Sequence, residues 1–169
     1  MRIELPQLPY AASALEPWIS ARTVNLAAER TMAMSRSEFG ALLNTLLEAE
    51  RAGAKLLAAY VAELPPNSTA WTALHKIQRD EAHNCAVLIY LLLNAEVEPS
   101  MAVGDFYERG LRLCKWSERL DLLNRGQAWV AKRIAEAVPR ISEPGARTAL
   151  RAMHESHVAN IDLCERVFG

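Results

Sequence analysis

Residues 42–92 read LLNTLLEAERAGAKLLAAYVAELPPNSTAWTALHKIQRDEAHNCAVLIYLL and contain two helical patterns on either side of a proline turn. On both sides of Pro65 and Pro66, apolar side chains recur every three to four positions, which places them on one face of an α-helix. Ser68 and Thr69 then supply an N-cap for the second helix. Two long helices joined by so short a turn are expected to pack as an antiparallel hairpin.

The chain beyond this hairpin divides again at proline and glycine. The predicted helices are about Arg36–Glu63, Thr69–Asn94, Asp105–Ala137 with a bend at Gly110, and a last one from the turn at 138–145 to near Phe168. The connection over 95–105 can extend about 35 Å at roughly 3.3 Å per residue. It is therefore long enough to cross from one end of a bundle to the other.

Before these helices, residues 1–35 contain Pro6, Pro9 and Pro17 and are predicted to form an extended arm with a short helical end. Residues 36–169 are predicted to form an all-α, antiparallel four-helix bundle. A length of 169 residues with 51% hydrophobic content suits one continuous core.

Composition excludes several classes of function. A net charge of -1 and a pI near 6.4 give no basic surface for nucleic acid. The longest uncharged apolar run, 85–94, is too short to span a bilayer, and residues 1–10 lack the pattern of a signal peptide. We therefore expect a cytoplasmic protein that binds neither membrane nor nucleic acid. Cys85, Cys114 and Cys164 lack CxxC spacing and are expected to be buried core thiols.

Polar side chains interrupt the inward stripe of each predicted helix. In the first helix Glu50 lies in the middle of the apolar stripe, whereas Glu48 shares the outward side with polar neighbours. In the second, Glu81 lies on the stripe, while Asp80 is one step off it and His83 falls on the side of the basic residues. Glu50 and Glu81 are therefore predicted to point into the core.

The third and fourth helices contribute an amide and an imidazole. Gln127 alone interrupts the third stripe, and His157 lies in the fourth with His154 one turn earlier. Glu50 and Glu81 are 31 residues apart, and Gln127 and His157 are 30 apart, so each hairpin brings its pair to a similar level. The sequence predicts one polar layer built from all four helices.

Two buried carboxylates and an imidazole at one level must bind a cation or neutralise one another through hydrogen bonds. The metal ligands predicted on the first alternative are Glu50, Glu81 and His157, with His154 as a fourth and Gln127 as a ligand or hydrogen-bond donor. Carboxylate and imidazole suit Fe or Mn, although Zn(II) also fits such a set. On the second alternative, the layer is a hydrogen-bonded network or the wall of a small-ligand pocket.

The phrase Leu43-Asn44-x-x-Leu47-x-x-Glu50 resembles the first metal-binding helix of bacterioferritins, within the ferritin-like superfamily. This resemblance implies a Glu on helices one and three and Glu-x-x-His on helices two and four, around a di-iron site. At the other three positions this chain has Asp80-x-x-His83, Asn124 or Gln127, and His154-x-x-His157. The departures favour a mononuclear or otherwise remodelled site.

Two longer phrases, over 43–53 and 118–130, resemble an uncharacterised bacterial ferritin-like domain family. That resemblance covers residues 38–168 and implies no activity. Residues 3–24, which include Glu4-Leu5-Pro6-x-Leu8-Pro9-Tyr10, resemble the amino-terminal arm of iron and manganese superoxide dismutases. The dismutase helix that follows carries a histidine ligand, but residues 24–30 here contain no histidine. The resemblance therefore implies a packing arm and not dismutase activity.

Two functions follow as expectations. The first is a non-haem iron or manganese oxidoreductase, or a metal-handling protein, in which the metal activates oxygen or peroxide; no catalytic residue is assigned. The second is a non-enzymatic bundle whose layer holds a hydrogen-bonded network or a small ligand, with the arm serving assembly. The apolar arm and Trp18 favour a homo-oligomer, a dimer above all.

Overall fold

The computed structural model describes residues 33–168. Of the predicted arm over 1–35, only residues 33–35 are among them, and the dismutase-like segment over 3–24 lies outside the described residues. Within 33–168 all regular structure is helical and no strand occurs, which confirms the all-α prediction. The elements are α1 (Arg36–Ala62), α2 (Thr69–Asn94), α3 (Phe106–Leu111), α4 (Trp116–Ala137), a 3₁₀ turn (Val138–Arg140) and α5 (Pro144–Phe168).

The first two helices begin at serine caps. The Ser35 hydroxyl accepts a hydrogen bond from the Glu38 amide at 3.2 Å, and the Glu38 carboxylate accepts one from the Ser35 amide at 2.9 Å. These hydrogen bonds to Ser35 are the main reason that the pKa of Glu38 falls to about 2. The Ser68 hydroxyl accepts from the Trp71 amide at 3.1 Å. Both helix starts therefore lie where the sequence predicts them.

The four long helices contact one another in a closed cycle. Helix α1 packs on α2, α2 on α5, α5 on α4, and α4 on α1, while the short α3 packs on α1. Leucines dominate the interior of this cycle, and those in the middle of α1 and α2 are completely buried.

The connection between α2 and α3 runs along α1. Arg36, at the start of α1, donates to the carbonyl of Ala95 at 2.7 Å, and Asn44 donates to the carbonyl of Glu98 at 3.1 Å. One to two turns later, Arg51 donates to the carbonyl of Ser100. The chain thus returns to the other end of α1 before α4 begins.

The third helix differs from its prediction, since a break at 112–115 divides it into α3 and α4. The break follows from how α3 packs on α1. Gly110 lies so close to Leu56 that a Cβ at this position would be 2.3 Å from a leucine methyl carbon. The buried Tyr60 hydroxyl also donates to the Gly110 carbonyl at 2.8 Å. These contacts hold the end of α3 against α1, directly before the break.

The cysteines differ in exposure, which corrects the prediction of three core thiols. Cys164 is buried and Cys85 is half-buried, but Cys114 is exposed because it lies in the break between α3 and α4. All three are free thiols. No helix within 33–168 combines the length and the apolar character needed to cross a membrane.

Candidate ligand site and polar layer

Four polar side chains predicted to point inward are buried. Glu50 of α1 and His157 of α5 are each 1% exposed, and Glu81 of α2 and Gln127 of α4 are each 4% exposed. Each comes from a different long helix. The spacing of apolar residues in each helix therefore predicted correctly that these four side chains are buried.

Hydrogen bonds join the four side chains into a chain. His157 Nε2 lies 2.8 Å from Glu50 Oε1, and His157 Nδ1 is hydrogen-bonded to Gln127 Oε1. The Gln127 amide nitrogen donates to Glu81 Oε1. Because the amide oxygen accepts while the amide nitrogen donates, the Nδ1 nitrogen of His157 carries a proton. The imidazole therefore connects the two carboxylates through Gln127.

Asn84 is a member of the layer that sequence reasoning missed. It is 4% exposed, and its Nδ2 donates to Glu50 Oε2 at 3.0 Å. Both oxygens of Glu50 thus have a partner, from α5 and from α2. Asn84 lies three positions after Glu81 and so shares its helix face, which is the signal that could have identified it.

Glu81 differs from Glu50 because one of its oxygens has no partner. Its Oε2 is buried and makes no hydrogen bond within the described part of the chain. Burial, and secondarily the nearby charge of Glu50, raises the pKa of Glu81 well above its ordinary value of 4.5. These effects favour the neutral acid, which carries a proton that it can donate.

Gly53 makes space for this carboxyl group. A Cβ at position 53 would be 2.0 Å from Glu81 Oε2, well inside any normal contact distance. Gly53 lies on α1 three positions after Glu50 and is buried. Glycine at this helical position therefore has a packing reason, namely close approach of the Glu81 side chain.

Other side chains weighed in the sequence lie outside the layer. His154 is half-buried and takes no part in the hydrogen bonds of the layer within residues 33–168. Asp80 pairs with Lys76 at 2.6 Å, and His83 is exposed. Asp80, His83 and Asn84 line a separate cavity of about 300 Å³ between α2 and α5.

Glu48 corrects a sequence prediction. We expected it to point outward, but it is half-buried and its carboxylate accepts a hydrogen bond from the Ser100 hydroxyl. The reason is that the connection after α2 covers this side of α1. A periodicity within one helix cannot reveal such a covering segment.

The layer does not form a ready cluster of metal ligands. No three histidine, cysteine, aspartate or glutamate side chains in the described region converge as a metal site would require. Both ring nitrogens of His157 are already hydrogen-bonded. A metal ion at Glu50, Glu81 and His157 would therefore have to replace existing hydrogen bonds.

A cavity of about 410 Å³ lies beside the layer. Glu50, Glu81, Gln127 and His157 form part of its lining, together with residues of α1, α3 and α4. Phe106, Leu122, Trp129 and Val130 supply its apolar surface. The volume falls within the range of about 300–1,000 Å³ that is usual for small-molecule sites.

Comparison with known proteins gives one match. A family model described as Domain of unknown function (DUF6306) matches residues 37–166. The chain belongs to the DUF6306 family. The matched part of this DUF6306 chain includes every residue of the layer and all five helices except Arg36 and the last two residues of α5. No curated protein and no solved structure matches the chain.

Proposed function

We propose that this DUF6306 chain is a ferritin-like four-helix bundle that binds a small organic molecule in the cavity beside its polar layer. The cavity itself carries the proposal, because it combines an apolar wall with hydrogen-bonding groups at a volume suited to a small ligand. The closed cycle of long helices and the connection along α1 support the ferritin-like topology.

In this proposal the layer acts as a fixed, hydrogen-bonded surface. Glu50 has partners on both oxygens and His157 on both nitrogens, so neither needs a ligand to satisfy it. Glu81 is the exception, since its Oε2 is unpartnered and Glu81 is one of the residues that line the cavity. The neutral Glu81 acid would donate a hydrogen bond to a ligand oxygen.

Calorimetric titration with benzoate, benzyl alcohol and benzylamine tests this proposal. At least one should bind saturably to the wild-type protein. Gly104 lines the cavity, and a Cβ there would meet only the Glu48 carbonyl at 3.9 Å, so a side chain can begin at this position and Gly104→Phe should place a ring in the cavity. It should abolish binding, whereas Ala102→Phe, at an exposed position two residues away, should not. Binding that survives Gly104→Phe would place the ligand elsewhere.

A second candidate is a remodelled site for one Fe or Mn ion. The unpartnered Glu81 oxygen favours it, because a buried carboxylate with a free oxygen is a usual ligand for such ions. Glu50, Glu81 and His157 would hold the ion, with Gln127 as a ligand or donor and His154 nearby. A bound ion would supply Lewis acidity and redox chemistry beside the cavity.

Elemental analysis after purification without chelator, and after anaerobic loading with Fe(II) or Mn(II), tests the metal candidate. One ion per chain should be found, and Glu50→Ala and His157→Ala should each lose it. Glu136→Ala, an exposed carboxylate on α4, is the matched control and should retain it. Protein without stoichiometric metal after loading would exclude this candidate.

We also propose that the protein forms a homodimer and is located in the cytoplasm. Tyr90 and Leu93 on α2 are 64% and 59% exposed, which gives an apolar surface for a second copy. The three free thiols suit a reducing compartment. Light scattering after size exclusion should give twice the chain mass for the wild type and a lower value for Tyr90→Ser with Leu93→Ser.

A further inference from the structure

The lining of the cavity includes a cation that forms no ion pair within residues 33–168. Arg125 of α4 lines the cavity and is exposed at its edge. It makes no ion pair and no hydrogen bond with any residue in 33–168. Its guanidinium can therefore accept an anionic partner in the planar, two-pronged geometry that suits a carboxylate.

The acids of the cavity are already engaged. Glu48 accepts from the Ser100 hydroxyl, and Asp105 lies 3.8 Å from Arg109 on the next turn. Within the layer, Glu50 has partners on both oxygens, and Glu81 Oε1 accepts from the Gln127 amide nitrogen. Arg125 is thus a lining cation with no partner in residues 33–168, which favours an anionic ligand.

Two aromatic side chains line the cavity together with this arginine. Phe106 packs so closely on α4 that a Cβ at Gly126 would be 2.8 Å from its ring, so its position is fixed. Trp129 is 43% exposed and lines the cavity one turn after Arg125. Offset or edge contacts with these rings favour a ligand that itself has a flat ring.

We propose that the cavity binds a small aromatic monocarboxylate, with its carboxylate on Arg125 and its ring against Phe106 and Trp129. This inference rests on the proposed ligand-binding function and names its ligand class. The volume of about 410 Å³ suits a compound with one ring. Glu81, whose Oε2 is unpartnered, adds a polar group to the lining for a hydroxyl on the ring.

The test compares three ligands of similar shape but different charge, and it uses metal-free, chelator-treated protein. Benzoate, benzyl alcohol and benzylamine are titrated by calorimetry under identical salt. Benzoate should bind most tightly, and raising the salt concentration should weaken benzoate binding more than benzyl alcohol binding because the ion pair is partly exposed.

Variants test whether Arg125 is the residue that binds the carboxylate. Arg125→Gln should raise the Kd for benzoate about fivefold and leave that for benzyl alcohol unchanged. Arg151→Gln removes an exposed arginine of α5 that does not line the cavity, and it should leave both values unchanged. Trp129→Ala should weaken both compounds, since it removes an aromatic wall and not a charge.

Each alternative outcome is informative. If benzyl alcohol binds as tightly as benzoate and Arg125→Gln has no effect, the carboxylate inference is wrong while the ligand-binding function stands. If benzylamine binds best, the charge assignment is reversed and the inference is also wrong. If none of the three compounds binds saturably, both the inference and the proposed function fail.

Discussion

The unpartnered oxygen of Glu81 lies where the side chain of any residue other than glycine at position 53 would begin. A Cβ on Gly53 would be 2.0 Å from this Oε2. Glu81 could turn away only by giving up its hydrogen bond from Gln127. The helix α1 and the carboxyl group of α2 are therefore coupled at this point.

Gly53→Ala should lower the free energy of unfolding by about 1–3 kcal/mol, the cost of an unsatisfied buried hydrogen-bonding group. In a Glu81→Ala background, the same change should instead raise it by about 0.5–1 kcal/mol, because alanine is favoured over glycine inside a helix. Urea unfolding of the four proteins measures both effects. The same sign in both backgrounds would show that the coupling is absent.

Glu81→Gln should gain stability relative to the wild type as the pH rises. The folded-state pKa of Glu81 lies above its ordinary value of 4.5, so the folded protein holds this proton more tightly than the unfolded chain. Below pH 4.5 the carboxyl group is protonated in both states, and Glu81 makes its full contribution to the free energy of unfolding. This contribution is lost as the pH rises from there towards the folded-state pKa. Urea unfolding of both proteins from about pH 4 to about pH 8 tests the sign. A constant difference between them would contradict the raised pKa.

Tyr60→Phe should lower the free energy of unfolding by about 1–3 kcal/mol, since it leaves the Gly110 carbonyl without its donor. Tyr90→Phe is the matched control because Tyr90 is 64% exposed, and it should change the value by less than about 0.5 kcal/mol. Thermal unfolding of both variants gives the comparison. Equal effects would mean that the Tyr60 hydroxyl does not hold α3 on α1.

Only Cys114 should react quickly with a thiol reagent in the native protein at mildly alkaline pH. Burial raises the pKa of Cys85 to about 12 and that of Cys164 to about 11, and both are shielded by neighbouring helices. Colorimetric thiol titration should find one fast thiol before unfolding and three after it. Cys114→Ser should remove the fast reaction; a fast thiol that persists in this variant would refute the assignment.

The sequence was most informative where structure depends on one helix at a time. The burial of Glu50, Glu81, Gln127 and His157 followed from phase within each helix, since a side chain on an apolar stripe must face the core. Their assignment as metal ligands stays a prediction. Asn84 carried the same phase signal through its spacing from Glu81.

Features that depend on contacts between distant segments were missed. The apolar spacing of Leu113, Trp116 and Leu120 continues through the break at 112–115, so periodicity predicts one helix there. The break is set by the packing of Gly110 on Leu56, more than fifty residues away along the chain. The cavity depends on the same kind of information, because its walls come from α1, α3 and α4 together.

The division of the layer between the two halves of the chain has a further consequence. The half before the long connection supplies Glu50, Glu81 and Asn84, and the half after it supplies Gln127 and His157. Each half makes one hydrogen bond of its own, Asn84 to Glu50 and His157 to Gln127. Glu50 Oε1 and Glu81 Oε1, however, find their partners in the other half, so another partner helix pair would leave them unsatisfied. The layer therefore specifies which helix pair packs against which within the molecule. Contacts between leucine side chains alone would allow many other pairings.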